Sequence, residues 1–97
     1  LNTQVGLGEY DNIKVAVEAF PNPFENSVNI AYSISKSADV TITVSNLLGQ
    51  VVESFQADNQ SMGYHKVEID GSSLGNGIYF YTLEVGNVVK SGKIVKN

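Results

Sequence analysis

Along most of the chain, apolar and polar residues alternate with a period of two. Ile13, Val15, Val17 and Ala19 share one parity, and so do Val28, Ile30, Tyr32 and Ile34; Val40, Ile42 and Val44 alternate with Thr41, Thr43 and Ser45. Successive residues of a strand face opposite sides of a sheet, so this pattern predicts strands with one buried face. Apolar residues at helical spacing with capping signals are missing, and the density of Val, Ile, Thr and Tyr favours extended backbone further. Four more strands are predicted over residues 50–57, 63–70, 78–85 and 88–95. The strand at 78–85 is apolar on both faces near its start, which suits a central position.

Turn residues separate these runs. In NLLGQ, residues 46–50, Asn46 is favoured where a type I turn begins and Gly49 can take the positive φ that closes a hairpin. Leu47 and Leu48 are unusual at a hairpin tip; they are expected to fold back and close one end of the core rather than form an exposed contact patch. DNQSMG, residues 58–63, reads as a polar loop, and Gly86-Asn87 as the last turn.

Both prolines lie in FPNPF, residues 20–24. Pro21 and Pro23 fix φ and lack a backbone donor, and Asn22, standing before a proline, is held extended. Neither proline can serve a sheet ladder, so this stretch belongs at an edge or between strands, with Phe24 expected to plug the end of the core. A second informative stretch is GSSLGNGIYFY, where Leu74, Gly77 and Tyr79 stand at the spacing of a tyrosine corner, a device in which a buried phenol bonds back to upstream backbone.

Seven short strands with turns between them predict an all-β, immunoglobulin-like antiparallel sandwich with Greek-key connections. At 97 residues, one domain burying about 60 to 65% of its unfolded surface is expected. Residues 1–12 read as a linker from an upstream protein and 13–97 as the domain. No apolar run approaches the ~20 residues that span a bilayer, and residues 1–12 lack the basic and apolar segments of a signal peptide. Membrane insertion is not expected, and the chain reads as soluble or as a piece of something exported.

Composition narrows the chemistry. There is no cysteine, which removes disulfides and thiolate metal sites. Ten acids stand against six lysines with no arginine, for a net charge of −4, so nucleic acid is not an expected partner. His65, the single histidine, is expected to be partly buried or on the surface rather than to act as a general base. Asp58, Asn59 and Asp70 carry oxygen ligands, but neither cluster has calcium-loop spacing, and these residues suit turns. No catalytic, metal or cofactor site is expected. Tyr10 and Tyr64 are the aromatics expected outside. Lys90, Lys93 and Lys96 make the C-terminal end locally cationic, which fits either an edge strand protected by lysine or a recognition element.

Taken in order, FPNPF at 20–24, LLGQVV at 47–52, GYHKVEI at 63–69, LGNGIYFYTL at 74–83 and KIVK at 93–96 resemble the C-terminal sorting domain, type A, of the type IX (Por) secretion system of Bacteroidota. The resemblance covers about residue 15 to the C-terminus. It implies a non-enzymatic domain fused to the C-terminus of a cargo protein. After Sec export to the periplasm, the outer-membrane translocon and its shuttle proteins recognise such a domain, and the cargo reaches the cell surface or the extracellular space. It also implies that a cell-surface sortase can cut the domain off, with residues 1–12 as the place for the cut. Pro21, Asn22, Pro23, Lys93, Ile94, Val95 and Lys96 are the candidates for translocon recognition, and Gly49, Leu74, Gly77 and Tyr79 are the structural positions. The alternative reading is an accessory immunoglobulin-like or fibronectin-like spacer, or a glycan-binding module, of a secreted enzyme.

Overall fold

The computed structural model describes residues 13–97, so the expected linker at 1–12 lies outside the described residues. The described residues form seven strands and no helix: β1 (Val15–Phe20), β2 (Ser27–Ile34), β3 (Ala38–Ser45), β4 (Val51–Gln60), β5 (Gly63–Asp70), β6 (Gly77–Val85) and β7 (Val88–Lys96). All pairings are antiparallel, in a three-stranded sheet ordered β1-β2-β5 and a four-stranded sheet ordered β4-β3-β6-β7. The chain changes sheet between β2 and β3, between β4 and β5 and between β5 and β6, so β2 pairs with β5 and β3 with β6 across long sequence intervals. This is the predicted immunoglobulin-like Greek-key sandwich.

The core lies where the alternation placed it. Val28, Ile30, Tyr32 and Ile34 from the first sheet face Val40, Ile42, Val44, Leu83, Val85 and Ile94 from the second, all buried. Each such aliphatic side chain contributes about 1.5 to 3 kcal/mol on leaving water. β6 is central, between β3 and β7, as its doubly apolar start implied, and β7 is an edge strand.

Three expectations need correction. β4 runs through Gln60 and takes in Asp58, Asn59 and Gln60 from the expected polar loop. Asn59 adopts φ 58°, and its N–H donates to the Asp39 carboxylate at 2.8 Å, which holds a polar segment against β3 across a register shift. The tip leucines do not fold back: Leu47 is 67% and Leu48 84% exposed. The last buried residue of β3 is Val44, and the tip beyond it stands in solvent. Its shape is set by polar atoms, since Asn46 Oδ1 accepts from the N–H groups of Leu48 (2.9 Å) and Gln50 (3.0 Å), with Gly49 at φ +85° as predicted. Finally, Tyr64 is exposed as expected, but Phe80 is exposed with it, because it stands on the outward parity of β6.

Candidate functional site

The two groups of recognition candidates, seventy or more positions apart in sequence, meet at one end of the sandwich. β1 ends at Phe20, paired with Asn29 of β2. Pro21, Asn22 and Pro23 then cross in the open to the other sheet, with both X–Pro peptide bonds cis. Neither proline has an N–H, and the Asn22 side chain supplies polar groups instead. Its Nδ2 donates to the Lys93 carbonyl (3.0 Å), and its Oδ1 accepts from the Val95 N–H (3.0 Å). One carboxamide thus presents to the rim of β7 the donor and acceptor that a neighbouring strand would present.

Phe24 continues the contact through backbone. Its N–H donates to the Val95 carbonyl and its carbonyl accepts from the Asn97 N–H, both at 2.8 Å, forming a parallel bridge beside Lys96. The Phe24 ring is buried, as expected of a plug. It lies so close over Gly71 that a β-carbon there would fall 2.6 Å from Cε2, and this approach requires glycine.

The β5–β6 corner closes the same end. Tyr79 is buried, and its hydroxyl donates to the Gly75 carbonyl at 2.8 Å, which is the predicted tyrosine corner. Gly77, at φ +146°, leads into the strand. Lys96 is only 7% exposed: its stem packs inward on the parity of Ile94, and Nζ donates to the Leu74 carbonyl at 2.8 Å. A lysine can bury its methylenes and bring its ammonium to a polar partner in this way. The tail is therefore fastened to the corner on one side and to the Pro-Asn-Pro loop on the other.

This geometry sorts the candidates. Pro21, Asn22, Pro23 and Lys93 are exposed and Val95 is half-buried, whereas Ile94 and Lys96 face inward. The open edge expected along β7 is closed over its last residues by Asn22 and Phe24. Sequence reasoning missed the bridging role of Asn22; the available signal was a carboxamide set between two residues that lack donors. The remaining polar candidates sit in local structure. The His65 ring stacks on Tyr32 at 5.3 Å between centroids, and its Nε2 donates to the Ser61 carbonyl at 2.6 Å. Asp70 accepts from the Ser72 N–H at 3.0 Å, and hydrogen bonds from Ser72 hold its carboxyl below the usual range.

A family model described as the secretion system C-terminal sorting domain matches residues 18–97. A search of curated proteins finds no match. Among solved structures, the crystal structure of dimeric latent PorU from Porphyromonas gingivalis is similar in fold, with a TM-score of 0.70 at 18% identity over 87% of this chain. The chain spans 9% of that protein's length. With the motifs in order and the family match running from β1 to the C-terminus, the chain belongs to the C-terminal sorting domains of the type IX secretion system.

Proposed function

We propose that the type IX machinery reads this domain as a folded object, at the end where the Pro-Asn-Pro loop is bound to the C-terminal strand. A sorting domain of this system carries the signal that takes its protein across the outer membrane to the cell surface or extracellular space. The observation that carries the finer reading is the pair of hydrogen bonds from Asn22 to Lys93 and Val95, because it makes one surface of segments at opposite ends of the chain. Pro21, Pro23 and Lys93 are the exposed members of that surface and are read as its contact residues.

In this reading the domain contributes recognition and no chemistry. Its partners are the outer-membrane translocon and its shuttle proteins, a covalently attached cargo lies on its N-terminal side, and a surface sortase removes the domain by a cut N-terminal to β1. The test is a reporter carrying this domain at its C-terminus in a type IX-competent bacterium, with surface and periplasmic fractions assayed. Pro21→Ala/Pro23→Ala and Lys93→Ala should shift reporter to the periplasm while the isolated domains stay folded. Surface delivery at the wild-type level by both folded variants would reduce this end of the molecule to a structural seam.

A further inference from the structure

The outer face of the four-stranded sheet is unevenly built. At the end near the β3–β4 tip, one row of paired residues runs Val51, Ser45, Phe80, Lys93 across all four strands. Val51 is 61% and Phe80 41% exposed, Ile78 lies two residues along the same face, and Leu47 and Leu48 project beside them. Directly paired residues share a face about 5 Å apart, so Phe80 stands between Ser45 and Lys93, with Val51 on the other side of Ser45, and these exposed apolar side chains cluster at one end of the face. The next row is Ser54, Thr43, Thr82, Ser91, and the one beyond holds Gln56, Thr41, Glu84 and Val89, the last 60% exposed. Val89 stands alone on edge strand β7, whereas Leu47, Leu48, Val51, Ile78 and Phe80 gather at the end near the tip.

The fold does not account for this surface. Asn46 and Gly49 build the turn, so Leu47 and Leu48 are not needed for its geometry, and as exposed leucines they favour association. Charge indicates what covers them. The apolar row ends in Lys93, and neither that row nor the Ser/Thr row beside it contains an acid. A two-fold contact with a second copy would match this patch to itself and bring no carboxylate to Lys93. An anionic membrane needs clustered cations, whereas Lys93 is the single cation of these two rows.

We propose that Leu47, Leu48, Val51, Ile78 and Phe80 form a docking surface for a protein of the type IX machinery that presents an apolar groove with a carboxylate on the Lys93 side. The proposal rests on the sorting reading and adds the chemistry of its partner. It differs from recognition of the Pro-Asn-Pro loop in using the face of the second sheet.

The test uses the same reporter with Leu47→Ser/Leu48→Ser, Lys93→Glu and Lys93→Arg, and with a photo-crosslinking residue at position 48 or, as a control, at position 41. The leucine variant should melt with the wild type yet lower surface delivery by about tenfold. Lys93→Glu should lower it too, and Lys93→Arg should keep it. Position 48 should crosslink to one cell-envelope protein, weakly in Lys93→Glu, and position 41 should not. If the wild-type reporter is itself retained, the sorting reading fails and this proposal with it. If the wild type is delivered and the leucine variant matches it, the docking surface is wrong while the sorting reading stands. Leu48-dependent dimers of the isolated domain in sedimentation, or Leu48-dependent flotation with phosphatidylethanolamine–phosphatidylglycerol vesicles, would overturn it in favour of a second copy or a lipid surface.

Discussion

Asn22 and Val95 are joined as if they belonged to neighbouring strands: the Val95 N–H donates to Asn22 Oδ1 at 3.0 Å, while Nδ2 of the same carboxamide holds the Lys93 carbonyl. Exposed edges of sheets recruit other strands, and proteins blunt them with prolines, charges or covering loops. Here a loop flanked by two prolines blunts β7 where the chain ends its last strand. Asn22→Ala removes both bonds at a solvent-exposed site and should cost about 1 kcal/mol, or a drop in melting temperature of about 4 to 8 °C. Hydrogen exchange should quicken at the Val95 amide and stay slow at Ile94, which pairs with Tyr79. Unchanged exchange at Val95 would show that the bond contributes nothing in solution.

The tyrosine corner separates into ring and hydroxyl. Tyr79→Phe loses only the bond to the Gly75 carbonyl and should cost about 1 to 2 kcal/mol, whereas Tyr79→Ala also empties the site and should cost about 3 to 5 kcal/mol. Denaturant midpoints of the two variants, compared with wild type, check this ordering.

Gly92 lies opposite Tyr81, and a β-carbon at Gly92 would fall 2.5 Å from the Tyr81 hydroxyl oxygen and 2.6 Å from its ring. Gly92→Ala should cost about 1 to 3 kcal/mol through this overlap. In the Tyr81→Ala background the same change should cost much less. A double-mutant cycle showing additivity would mean that the ring yields freely.

Much of this was legible from local chemistry. Period-two alternation identified the buried faces, Asn46 and Gly49 announced the turn, and Leu74, Gly77 and Tyr79 announced the corner, because in each case the cause lies within a few residues. The failures have non-local causes. Lys96 has inward parity and a charge that argues for water, and only the Leu74 carbonyl, 22 positions away, settles the conflict. Leu47 and Leu48 have the hydrophobicity of core residues, yet the turn built by Asn46 and Gly49 carries them into solvent beyond Val44, the last buried residue of β3. Asp58 to Gln60 have loop composition, yet the Asp39 carboxylate keeps them in β4.

Stability should fall on the alkaline side. Burial raises the pKa of Tyr32 and of Tyr81 above the ordinary tyrosine value. The folded state holds these protons more tightly than the unfolded state, so their contribution is complete below about pH 10 and is lost as pH rises through the raised folded values. Asp70, lowered by its bonds from Ser72, acts in the opposite sense, its contribution being lost on acidification through the lowered value. Melting temperatures measured across alkaline pH should decline more steeply for wild type than for Tyr32→Phe/Tyr81→Phe. Parallel curves would show that neither phenol titrates on unfolding.

Lys93 and Lys96 stand three residues apart on one strand and should respond to alanine in opposite ways. Lys93 is exposed on the outer face, and an exposed charge contributes under about 1 kcal/mol, so Lys93→Ala should leave the melting curve almost unchanged. If the outer face is read during export, surface delivery should fall all the same. Lys96 is 7% exposed and bonded to the Leu74 carbonyl, so Lys96→Ala removes buried methylenes and leaves that carbonyl without its ammonium partner; about 1 to 3 kcal/mol should be lost. Its effect on delivery should then follow stability, and lowering the growth temperature should restore it without restoring delivery of Lys93→Ala. Deleting residues 93–97 cannot make this distinction, because it takes away Ile94, a fully buried core residue, and the strand to which Asn22 and Phe24 are bound. The paired substitutions can, with melting and surface delivery measured for each. If Lys93→Ala is delivered normally and Lys96→Ala fails only as far as it unfolds, the C-terminal strand serves the fold, and recognition lies elsewhere on the domain.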